Sequence, residues 1–96
     1  MSPKEQIELK KLRNKLDKLD NSFIKLIKKR TYLVKKVLKL KKYKKQIIDK
    51  KRIKVILSKV KRKSIKNKID PKITNRVWKN MIWSYIDFER RNFKKK

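Results

Sequence analysis

Apolar residues recur every three or four positions from Gln6 to about Lys42. They are Leu9, Leu12, Leu16, Leu19, Phe23, Ile27, Val34 and Val37, with one gap of seven after Ile27. This spacing marks one face of an α-helix. At 1.5 Å per residue such a helix, roughly 35 residues long, spans about 50 Å. It is too long to fold back on itself in a chain of 96 residues. A break is expected across Lys42 to Ile48. Asp49 then suits the N-cap of a second helix with Ile53, Ile56, Leu57 and Val60 on its apolar face. That helix should fade in the basic stretch Arg62 to Lys68. Asp70-Pro71 is the clearest start signal, a capping residue before Pro at the first helical position. The third helix carries Ile73, Val77, Trp78, Met81, Ile82 and Tyr85 and should end near Phe93. No strand alternation and no repeat stands out. The fold class expected is all-α, with one long, one short and one medium helix in a single domain over residues 1–96. Residues 1–5 and 94–96 should be frayed. The long stripe exceeds what the rest of the chain can cover, so two copies should pack together as a helical homodimer.

Composition narrows the chemistry. The chain has 35 Lys+Arg against 8 Asp+Glu, a formal net charge of +27, and no Gly, Cys or His. Without His or Cys there is no zinc finger, no Ser-His or Cys-His nucleophilic pair and no disulfide. Without Gly there is no phosphate-cradling loop and no dinucleotide fingerprint. The excess of positive charge points to nucleic acid first. The kind of cation argues the other way. Arg occurs only at 13, 30, 52, 62, 76, 90 and 91, and every other cation is Lys. Base readers and phosphate clamps favour the bidentate fork of Arg. Abundant Lys, Ile and Asn match the codon bias of an AT-rich genome, so a solvated Lys surface is the plainer reading and nucleic acid is disfavoured as the main partner. No apolar run approaches a membrane span and no leader segment stands out, so a cytoplasmic protein is expected.

Cations within the apolar stripes are the candidate functional groups. Arg30 lies three residues after Ile27 and four before Val34, filling the gap of seven. Lys41 lies four after Val37. On a continuous helix the two would project from one face, about 20° apart in rotation and about 16 Å apart along the axis. Both could then reach a small molecule lying between them. Arg13 sits between Leu9 and Leu16, roughly 25 Å from Arg30 along the helix, and in a dimer could enter the partner's site. Burying cations without anions costs several kcal/mol, and an anionic ligand would resolve that cost. The plain alternative is that these side chains snorkel at the stripe edges. Asp49 and Arg52 form an i, i+3 pair, readable as a cap with a surface ion pair. Glu89, four residues after Tyr85 and seven after Ile82, lies on the apolar side of the third helix, where Arg90 or a lysine could pair with it.

The ordered set of these residues resembles the all-helical chorismate mutases, small intertwined three-helix dimers, from about Leu9 to Phe93. The matching features are Leu12-Arg13 followed by Asp17 and Asp20, Arg30 followed by Leu33-Val34, the loop lysine Lys41, Asp49-Lys50-Lys51-Arg52, and Ile69-Asp70-Pro71 ahead of Val77-Trp78 and Met81-Ile82. The resemblance implies an isomerase of aromatic amino acid biosynthesis, in the shikimate pathway, that converts chorismate to prephenate. It implies that Arg13 of the other protomer and Arg30 pair with the two substrate carboxylates. Lys41 would contact a carboxylate and the ether oxygen of the breaking bond, Asp49 the substrate hydroxyl, and Arg52 would support the site. No metal and no cofactor is implied.

Three positions depart from the family pattern. Ile53 stands where the family has Glu, Tyr85 where it has a small polar residue, and Glu89 where it has a Gln that donates to the ether oxygen. An apolar residue at the first of these positions, with Tyr at the second, resembles the isochorismate-pyruvate lyase branch, which makes salicylate and pyruvate. To donate, Glu89 must carry a proton. Apolar surroundings favour that form and Lys41 opposes it, so activity is expected to rise toward acidic pH.

Overall fold

The computed structural model describes residues 1–94. The expected fraying of Lys95 and Lys96 lies outside the described residues. Three α-helices follow one another: α1 (Pro3–Leu40), α2 (Lys50–Lys66) and α3 (Pro71–Asn92), with a 3-10 turn at Lys44–Gln46 between the first two. By their contacts the residues fall into two units, Met1–Leu33 and Val34–Lys96.

In the first unit α1 begins at Pro3, ahead of the Gln6 marked by the apolar pattern, so the frayed end expected up to residue 5 is helical from Pro3 onward. The start has a local cause. The Ser2 backbone N–H donates to Glu5 Oε1 at 2.9 Å, and the Glu5 N–H donates back to Ser2 Oγ at 3.2 Å. This reciprocal pair satisfies two of the donors a helix start leaves open, and Pro3 needs none. The Ser2 N–H, and after it the Ser2 hydroxyl, lowers the Glu5 carboxyl from its ordinary value. A depressed carboxyl strengthens the helix start above its unfolded value, and that support is lost as pH falls through the folded one. The apolar stripe has the predicted spacing and is exposed along the unit, with Leu16 at 58% and Leu19 at 65% of full exposure.

The second unit holds the core. Leu38, Ile47, Ile82 and Ile86 are buried, and Ile48, Ile53, Ile56, Leu57 and Phe93 pack against them. The buried residue of the last turns of α1 is Leu38, while Val37, the sequence choice, is exposed. Ile73 and Val77 of α3 are exposed as well, and the burial shifts to Ile82 and Ile86. α2 and α3 meet at a polar point: buried Ser64 donates to the Val60 carbonyl at 2.6 Å and lies 2.7 Å from Thr74 Oγ1. Asp49 and Asp70 cap α2 and α3 as expected, accepting from the backbone N–H groups of Arg52 and Lys72.

The turn between α2 and α3 shows what a chain without glycine must do. The Ile69 N–H returns to the Ser64 carbonyl at 2.8 Å and the Lys68 N–H to the Ile65 carbonyl at 3.1 Å. This doubled closure requires a left-handed residue just past the helix, a place usually held by Gly. Here it is Lys68, at φ 58°. A side chain bearing a Cβ costs about 1–2 kcal/mol in that conformation. Lys68→Gly is therefore expected to stabilise the chain by roughly 1 kcal/mol and to raise Tm by about 4–8 °C. Thermal unfolding followed by circular dichroism checks this, and a lower Tm would contradict it.

Candidate functional site

α1 ends at Leu40, where the backbone turns away: the Lys41 N–H donates to the Leu38 carbonyl at 3.1 Å. Lys41 is therefore a loop residue. The expectation that Lys41 continues the helical face carrying Arg30 fails, because the helix stops one residue short. The C-terminal end of a helix carries partial negative charge, which favours a cation in this place. The loop that follows is tied down by Gln46, whose Oε1 accepts from the backbone N–H groups of Lys42 at 2.7 Å and Tyr43 at 2.9 Å. That closure brings Ile47 into the core directly after the 3-10 turn.

Lys41 Nζ donates to Glu89 Oε2 at 2.9 Å and to the Ile47 carbonyl at 3.5 Å. The side chains of Lys41 and Glu89 are only 18% and 8% exposed. Of the partners considered for Glu89 on the sequence, the structure selects a lysine and not Arg90. Glu89 stands one turn beyond Tyr85 and two beyond Ile82 on the buried side of α3, with Ile82 and Ile86 among the core residues. A largely buried ion pair at the edge of an apolar cluster costs desolvation of both groups, and its attraction offsets that cost only at close range and in good geometry. The pair is far more buried than the Asp87–Arg91 pair on α3. It also joins Lys41 and Glu89, the two positions to which the family resemblance gives the ether oxygen.

The other site candidates divide by place. Asp49 is exposed at the start of α2, and its carboxylate takes the Arg52 backbone N–H at 3.0 Å, so it works as a helix cap. Arg52 is exposed on the first turn of α2 and Tyr85 is half-buried on α3. Ile53 faces inward and packs against the core. Arg13 and Arg30 lie in the first unit, both on the exposed surface of α1. Sequence reasoning missed Ile47, whose carbonyl accepts from Lys41, and Ile86, which lines the same core. Ile86 had a signal, the step of four from Ile82. Ile47 had none, since it lies in an irregular loop with no periodicity to read.

Among the described residues no helix is long and apolar enough to cross a membrane. The family model described as chorismate mutase type II matches residues 12–90. No curated protein and no solved structure matches the chain.

Proposed function

Because the chain belongs to the chorismate mutase type II family, we propose that it catalyses the rearrangement of chorismate to prephenate, a step of aromatic amino acid biosynthesis. The observation that supports this most is the largely buried Lys41–Glu89 pair at 2.9 Å. A lysine at a helix end, held against an acid at the edge of an apolar core, is a cation kept out of bulk water and ready for an anionic substrate. The rearrangement is pericyclic. It needs no nucleophile on the protein. The residues have two tasks, to hold a compact conformer of the substrate and to stabilise charge developing on the ether oxygen.

In this reading Lys41 leaves Glu89 when substrate enters and donates to a carboxylate and to the ether oxygen. Glu89, once protonated, donates to the same oxygen from the other side. Arg30 takes one carboxylate, and Arg13 of a second copy takes the other. Asp49 receives the substrate hydroxyl, Arg52 supports that end, and Tyr85 lines the pocket. A second copy is supported by the first unit, where Leu12, Leu16, Leu19 and Phe23 are all exposed on one side of α1. Such a stripe on a single chain is what a homodimer would cover, and the first helix of each protomer would then carry Arg13 to its partner.

Ile53 and Tyr85 favour a second reading, elimination of pyruvate from isochorismate to give salicylate. Ile53 sits where an acidic residue would otherwise meet the substrate ring hydroxyl, and it is turned to the core. Incubating the purified protein with chorismate and, separately, with isochorismate decides between them. Prephenate from chorismate is the expected product. Salicylate and pyruvate from isochorismate alone would establish the second reading, and turnover of neither would overturn both.

A further inference from the structure

The positive charge is unevenly placed, and α2 carries the densest part of it. Its seventeen residues contain nine cations and no acid. At 100° per residue, Lys51, Arg52, Lys59, Arg62, Lys63 and Lys66 fall within an arc of about 120° centred on the direction opposite Leu57. Leu57, with Ile53 and Ile56, faces the core. All six cations are exposed, and the one other residue of that arc is Val55. They extend over about 22 Å of helix axis.

The second unit has four side-chain carboxylates. Asp87 pairs with Arg91 at 2.9 Å and Glu89 with Lys41, which leaves Asp49 and Asp70, both at helix caps, against the six cations. Six like charges on one face repel each other. A line of cations that outnumbers its nearby carboxylates fits a linear polyanion.

We propose that the outer face of α2 binds nucleic acid through the phosphate backbone, without reading sequence. Lys meets a phosphate as a flexible point charge and lacks the fork that clamps it or reads base edges, so such a face attracts the backbone without reading sequence. A membrane surface fits less well. The apolar residues of α2 are turned into the core, which leaves Val55 as the one apolar group on this arc to enter a bilayer.

The test is fluorescence anisotropy of the full chain with two unrelated 20-base-pair DNA duplexes over a range of salt. Both duplexes should bind alike. The triple variant Lys59→Gln, Lys63→Gln, Lys66→Gln should reduce the slope of log K against log salt by about 2.7, three phosphate contacts at about 0.9 each. A control of equal net charge, Lys10→Gln, Lys11→Gln, Lys15→Gln on α1, should leave the slope in place. Circular dichroism of both variants verifies the fold. Equal effects of the two triples would show that net charge alone binds and would overturn the assignment to α2. Preference for one duplex, or tighter binding to vesicles of anionic phospholipid at equal phosphate concentration, would overturn it as well.

Discussion

The double variant Lys41→Met, Glu89→Gln loses chorismate rearrangement by a factor on the order of 10³, and its thermal stability stays close to that of the parent. In the proposed mechanism the loss follows from removing the cation that would donate to the ether oxygen, since a single donor to a developing oxyanion is worth about 10²–10³ in rate. The stability follows from changing both partners. Lys41→Met alone would strand the Glu89 carboxylate, 8% exposed, at the edge of the core, and breaking one side of such a pair costs about 3–5 kcal/mol. A neutral pair of similar volume avoids that cost. Glu89→Gln alone gives the contrasting result. An amide donates at any pH, whereas a carboxyl group donates only when protonated. The single variant should keep or exceed parental activity near neutrality. Steady-state rates near neutrality, with Tm for each variant, check the set. A double variant that retains full activity would remove Lys41 from the mechanism.

Particular residues show how far the chain could be read without its structure. Asp49 and Asp70-Pro71 announced their helices because capping is a local matter, settled within three residues. The long helix was legible for the same reason, a period of 3.6 sustained over its length. Its end was read to within two residues, a break being expected from Lys42 and the helix stopping at Leu40, yet those two residues take Lys41 off the helical face. The register of burial was not read there, since Leu38 and not Val37 faces inward. The Lys41–Glu89 contact joins residues 48 apart in sequence. Periodicity put each on an apolar face, but nothing local could join them. The resemblance to a family placed both at the ether oxygen, near enough for Lys41 to oppose protonation of Glu89.

Arg30→Ala should reduce activity by a factor on the order of 10³ with the helical content unchanged. Arg30 is exposed on α1, and surface substitutions usually shift stability by about 0.5 kcal/mol or less. A loss of rate is then a loss of substrate contact and not of fold. Arg30→Lys keeps the charge but gives up the two parallel donors that match a carboxylate, so it should recover only part of the activity, chiefly as a raised KM. Mixing supplies the sharper discrimination. Arg13→Ala and Arg30→Ala chains are each inactive alone if every site takes Arg13 from one copy and Arg30 from the other. Unfolded together and refolded at equal concentration, they form mixed dimers in which one of the two sites is whole. With random pairing the mixture should regain about a quarter of parental activity. If the mixture stays as inactive as its components while sedimentation shows dimers, then Arg13 and Arg30 serve the same site from the same chain, or serve none, and the interlocked arrangement is wrong.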